Sequence, residues 1–304
     1  MLFKFSRWRG GGASNFFNKI AGGVSSFFLF FQPNKKRILK RQAKVRLQEI
    51  HRNDFSRDGL AIDKIPFEAC YFLKSANGAP EKLEKRLAVY SVFFGPTPNS
   101  TFRRTEVRVD IDHYFISNNR DVLEIAESSG WIPVFFDIEI SENVILSAHQ
   151  AKIAKAMPHK FPFLNAYSFL LYIDDKLQFD LAMLKIAVQD LESSGAALAI
   201  RKHPFLQDNI LEEFGEAMLQ RRYRSQRGQI VEYITGEVGS GYRLNPGQLY
   251  ATGVILRNMR HTEIQNINEC WYSHILRCGI ECQIAFDFVA QRYNNVNILP
   301  QEIA

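Results

Sequence analysis

Acidic residues are missing from the first 48 positions of this 304-residue chain, a stretch that holds eleven lysines and arginines. The remaining 27 basic and 32 acidic residues give the rest of the chain a net charge of −5, so the overall +6 belongs to an N-terminal arm and not to a folded domain. A nucleic-acid binder would carry basic surface on the fold, and no nucleic-acid partner is expected. Cysteine is scarce: Cys70, Cys270, Cys278 and Cys282 form no CxxC pair and no metal-finger spacing. That argues against a disulfide scaffold or a zinc module and for reduced thiols in a cytosolic protein. No apolar run approaches the roughly 20 residues that cross a bilayer. The Gly-x-Ser-x-Gly elbow and the HExxH motif are also absent, which tells against serine and zinc hydrolases of those types.

What is present begins with the arm. Residues 1–33 read as a flexible basic and aromatic segment, broken by Gly10-Gly11-Gly12 and Gly22-Gly23, with a phenylalanine-rich apolar run at 24–31. A dense basic block follows that run without a small-residue cleavage site, so a signal peptide is disfavoured. Two readings stay open: an arm resting on an anionic membrane surface, or a disordered leader before a solvated basic helix. The first would make the protein cytoplasmic and peripheral at the inner face of the membrane. Residues 34–85 read as a basic helix (34–51) and a linker, with a turn at Asn77-Gly78-Ala79-Pro80. Residues 86–304 form the main domain, and a chain that is 46% hydrophobic can bury a substantial core.

Within that domain, short apolar runs at 87–94, 112–117, 131–136, 168–173, 196–200 and 253–256 suit buried strands. Helical spacing covers 145–157, 180–191, 263–278 and 283–291. Alternation of this kind predicts an α/β layer fold with a mainly parallel or mixed central sheet flanked by helices. Ligands of open α/β sheets bind at the carboxyl ends of the strands. Four predicted strand ends carry a glycine turn or polar groups: Gly95, Ser117-Asn118, Asp174-Asp175 and Lys202-His203.

One ordered set of residues is more specific. His149, Lys152, Lys155, His159 before Phe161-Pro162, Tyr167-Ser168 and Tyr172-Ile173-Asp174 resemble the signature of a hexosyltransferase family. That family includes plant mucilage- and pectin-related proteins, and one plant member has been described as an alkaline ceramidase. Tyr90 to Gly95, Asp112 to Phe115, Gly130-Trp131, Ala199-Ile200 with His203, Arg257, Trp271, and Gln283 with Phe286 follow in the family's order. The resemblance implies a GT-A-like fold and a nucleotide-sugar donor such as a UDP-hexose. It also implies Mn²⁺ or Mg²⁺ on Asp174 and Asp175, whose hard oxygens suit such a cation. The departing nucleoside diphosphate gains negative charge, and something positive must stabilise it.

Donor contacts are expected from Gly95, Lys152, Lys155, His159, Lys202, His203, Arg257 and Gln283. Lys176 stands where a full Asp-X-Asp motif would need a second carboxylate, so the lysines and histidines offer a metal-sparing alternative. The candidate catalytic carboxylates are Asp174, Glu281 and Asp287. Cys282 occupies the position before Gln283 where the family usually has aspartate, and Met259 stands where it typically has histidine. Glu212-Glu213 resemble an acidic pair of the relatives, or form a solvated helix face. The expected activity is transfer of a hexose to a cell-surface glycan or a lipid-linked acceptor. A ceramidase-like hydrolase of amide-linked lipid and a non-catalytic sugar-nucleotide-binding protein are the competing readings.

Overall fold

A computed structural model describes residues 65–72, 85–96, 107 and 111–304, all within the compact unit Ser56–Ala304. The predicted arm (1–33) and basic helix lie outside the described residues. Among the described residues, eight strands form one sheet in the order β1-β4-β3-β2-β5-β7-β6-β8. They are β1 (Cys70–Phe72), β2 (Lys85–Phe93), β3 (Asp112–Ser117), β4 (Ile132–Phe136), β5 (Tyr167–Ile173), β6 (Leu198–Lys202), β7 (Tyr250–Asn258) and β8 (Val296–Leu299). The helices are α1 (Arg120–Ser128), α2 (Val144–Ala156), α3 (Leu181–Ser194), α4 (Ile210–Ala217), α5 (Arg221–Ser225), α6 (Arg227–Gly239), α7 (Ile264–Cys278) and α8 (Cys282–Val289).

Strands β4, β3, β2 and β5 are mutually parallel, as are β6 and β8; β1 and β7 run against their neighbours. The central strands read as unbroken apolar runs because helices cover both faces. Side chains alternate across the sheet. Val89, Phe115, Leu171 and Leu256 pack with Val122 and Leu123 of α1 and with Leu184 and Leu191 of α3. On the other face, Tyr90 and Arg257 hydrogen-bond to Lys155 of α2, and Arg257 to Asn268 of α7. Trp271 of α7 meets Phe286 of α8 edge to face. The expected α/β layering is therefore present.

Residues 65–72 correct the expected boundary at 86. The sequence places them in the linker, yet β1 pairs antiparallel with β4, matching Cys70 to Phe136 and Phe72 to Val134. Phe67 also packs edge-on against Phe161 with ring centroids 5.3 Å apart. Apolar residues of 67–72 thus cover a sheet edge.

The antiparallel insertion of β7 matters most for the site. It brings the first residues of β7 to the same edge as the carboxyl ends of β5 and β6, with Ile173 opposite Val254 and Lys202 opposite Tyr250. A register shift between Ile200 and Arg201 bends β6 just before His203, as bulges beside functional sites often do.

Candidate active site

Asp174 ends β5 and is pinned there by its neighbours. Its backbone N–H donates to Gly253 O of β7 at 2.9 Å. Its Oδ1 accepts from the Tyr172 hydroxyl at 2.6 Å and from Lys155 Nζ at 3.2 Å. Tyr172 lies two residues earlier on the strand, so both side chains leave the same face. A Cβ at Gly253 would fall 3.2 Å from Asp174 Oδ2 and 3.0 Å from Leu177 Cδ1. Glycine there is what lets β7 approach the carboxylate closely.

Lys152 and Lys155 sit three apart on α2 and face the same cleft. Lys155 is 2% exposed, and its ammonium lies 4.7 Å from the centre of the Tyr172 ring. Burial lowers the Lys155 ammonium below its usual value despite the opposing pull of Asp174. For Lys152 burial acts the same way, but Cys282 and Asp174 outweigh it and the net shift is upward. Burial would raise the Asp174 carboxyl, yet Lys155, Lys152 and the Tyr172 hydroxyl hold it below its ordinary value. Asp175 is pushed up to about 6 by burial and by the adjacent Asp174 charge.

A second group of residues sits at the start of α8 and on α4. Glu281 caps α8 by accepting from the Gln283 N–H at 3.1 Å. The Gln283 side chain donates to Glu213 Oε1 at 2.7 Å, and His203 Nε2 lies 3.3 Å from Glu213 Oε2. His203 Nδ1 accepts from the Leu206 N–H at 2.9 Å, which leaves the ring proton on Nε2, toward Glu213. Burial first, then the Glu281 charge, raises the Glu213 carboxyl; burial likewise raises Glu281 against the pull of Lys152.

These groups line one cleft of about 890 Å³ at the carboxyl edge of the parallel strands. Gly95, Lys152, Lys155, Asp174, Asp175, His203, Glu281 and Gln283 all reach it. Gly95 does so from a turn with φ of +129°, a conformation that side chains rarely adopt.

Four expected site residues lie elsewhere. Arg257 is fully buried and spends its guanidinium on Asn268 Oδ1, the Tyr90 hydroxyl and the Lys155 carbonyl, so it braces the core and does not line the cleft. His159 is buried between Glu269 and Asn268. Lys202 is exposed at the end of β6 and does not line the cleft. Asp287 is 1% exposed, away from the cleft lining, and accepts the Tyr250 N–H at 2.9 Å. Their order in the sequence could not separate residues that support the site from residues that face it.

Two residues gain a place that sequence reasoning left without one, and Glu213 turns to the cleft and not to a solvated face. Tyr172 holds Asp174, Gly253 makes room for it, and Glu213 joins the carboxylate group. Glu213 had a readable signal. It shares the inward face of α4 with buried Ile210, Phe214 and Ala217, where a carboxylate is out of place unless it is used.

As a protein-held divalent-cation site, the donor set does not fit. Among the described residues no three His, Cys, Asp or Glu side chains converge to hold an ion. Asp174 Oδ1 already contacts an ammonium and a phenol.

Residues 112–301 match the family model described as TOD1/MUCI70, glycosyltransferase-like domain. Similar solved structures include mouse xyloside xylosyltransferase 1 in its apo form, at 11% identity and a TM-score of 0.38, covering 70% of this chain and 85% of that one. The apo bifunctional glycosyltransferase WbbM is similar at 12% identity and a TM-score of 0.41, over 73% of this chain and 40% of that one. The mannosyltransferase Ktr4p of S. cerevisiae is similar at 9% identity and a TM-score of 0.37, over 88% and 79%. No curated protein matches the chain.

Proposed function

The chain belongs to the TOD1/MUCI70 glycosyltransferase-like family, and we propose that it transfers a hexose from a nucleoside diphosphate sugar to a glycan or lipid-linked acceptor. The observation that carries this reading is the meeting of Asp174, Lys152 and Lys155 with Glu281 and Glu213 in one cleft at the strand ends. Such a cleft has both halves that the chemistry asks for. Cations receive the diphosphate as its bond to the sugar breaks, and the leaving group keeps that electron pair. A carboxylate of the same cleft takes the acceptor hydroxyl's proton as the new bond to the sugar forms. We assign the cations to Lys152 and Lys155, the proton acceptor to Glu281, and an orienting contact with a donor hydroxyl to Asp174. A GT-A-like donor half accords with the parallel strands β4-β3-β2-β5 ending at this edge. The basic arm before residue 49 would hold the enzyme at the cytoplasmic face of an anionic membrane, near a lipid-linked acceptor.

The test is a turnover screen of the full chain against UDP- and GDP-sugars. Donor hydrolysis that disappears in Asp174→Ala supports the transferase. Folded protein that binds none of the nucleotides overturns it, and cleavage of ceramide with no nucleotide effect would favour a hydrolase.

A further inference from the structure

We propose that this cleft binds its diphosphate without a divalent cation, because the ammonium groups of Lys152 and Lys155 occupy the role that the ion would fill. The inference rests on the transferase reading for its meaning, although its test does not need turnover.

Three observations point the same way. Lys155 is 2% exposed and has a single carboxylate partner, with Asp174 Oδ1 at 3.2 Å. A divalent ion coordinated to Asp174 would confront that buried ammonium at short range in a site of low dielectric, where like charges repel strongly. The buried lysine is also held from behind. Its main-chain carbonyl accepts from Arg257 at 2.9 Å and from Tyr90 at 3.2 Å, and its ammonium lies over the Tyr172 ring. A fixed cation of this kind needs no reorganisation when negative charge arrives.

The second observation is the company that Asp174 keeps. Lys155, Lys152 and Lys176 all act on its carboxyl, and Asp175 adjoins it in the chain. The third is Cys282, which lines the cleft beside Lys152 and contacts the Thr252 hydroxyl at 3.3 Å. A carboxylate at that position would neutralise Lys152 and could add a hard oxygen ligand. Sulfur there engages the Lys152 ammonium but adds no hard oxygen, and is a poor ligand for Mg²⁺.

The experiment is calorimetric titration of the full chain with inorganic pyrophosphate and with UDP, first in EDTA and then with Mg²⁺ or Mn²⁺. Both ligands are expected to bind in EDTA, and added metal is expected not to tighten them. Lys152→Ala should weaken pyrophosphate by about tenfold or more, the loss of one charge-assisted contact. Asp174→Asn, which keeps the shape and frees Lys155, should leave pyrophosphate binding unchanged or tighter. Circular dichroism and thermal melting establish that each variant is folded.

Binding that vanishes in EDTA and returns with metal overturns the inference, as does an Asp174→Asn variant that loses pyrophosphate. Pyrophosphate that binds in EDTA while every sugar nucleotide goes unturned supports the lysine site and removes the transferase reading. Failure of both ligands to bind under either condition overturns the two together.

Discussion

The buried guanidinium of Arg257 donates to the main-chain carbonyl of Lys155 across 2.9 Å, linking a core cation to a cleft cation without exposing the first. Through Asn268 Oδ1 and the Tyr90 hydroxyl, the same side chain ties α7 and β2 to α2. The position of Lys155 is therefore set from the middle of the fold.

Replacing Arg257 with methionine should cost about 3 kcal/mol, since it leaves several buried acceptors short of a donor. Thermal melting should show a fall of roughly 6–12 °C for a domain of this size. Arg257→Lys should recover little of it, because one ammonium cannot reproduce the planar fork that reaches three partners.

Gly253→Ala tests the close approach of β7 to Asp174. The added methyl would meet Asp174 Oδ2 at 3.2 Å and Leu177 Cδ1 at 3.0 Å, so one of the two must move. Donor hydrolysis is expected to drop about 10- to 100-fold, the usual consequence of displacing a site group by a fraction of an ångström to an ångström. The melting temperature should change little, because Leu177 is only partly buried and can give way.

Glu281 is assigned two roles, and two variants separate them. Glu281→Gln keeps an oxygen for the Gln283 N–H and should preserve the melting temperature while abolishing transfer. Glu281→Ala removes the helix cap as well and should lose a further ~1 kcal/mol of stability. Equal stability in the two variants would argue against the capping role.

Stability should also fall as pH rises, and Glu213 supplies the sign. Its carboxyl is pushed up to about 8 from an ordinary 4.5 by burial and by Glu281. The folded state therefore holds a proton that the unfolded state has released, so stability decreases between about pH 5 and 8. Glu281, Asp287 and Glu216 of the neighbouring turns add to the same charge, while His203, which faces Glu213, is held below its ordinary value by burial. Melting temperature measured across that range should flatten in Glu213→Gln. An unchanged slope would mean that other groups set it.

Much of the scaffold was legible before any coordinates. The runs at 112–117 and 168–173 became β3 and β5 almost residue for residue, and the spacing at 263–278 became α7. Such elements announce themselves because one local pattern, apolar on two faces or at every third and fourth position, dictates their burial. Helices α1, α5 and α6 were not foreseen, although Asn119 caps the first. No shared pattern marks them: α1 buries Val122 and Leu123 beside the sheet, α6 packs on α7, and α5 buries no residue. Edge strands β1 and β8, three and four residues long, carry too little pattern to stand out.

The site divides along the same line. The sequence by itself determined that Asp174 ends an apolar strand and that Lys152 and Lys155 share a helix face, because both follow from local periodicity. Only the tertiary structure decided that Arg257, His159 and Asp287 turn into the core while Glu213 and Glu281 meet at the cleft. It also decided that Lys155, and not a second acid, stands against Asp174. These outcomes depend on the crossing of β7 between β5 and β6 and on how α2, α7 and α8 pack over that face. Those contacts join residues as much as 167 positions apart, a separation over which no local pattern carries information.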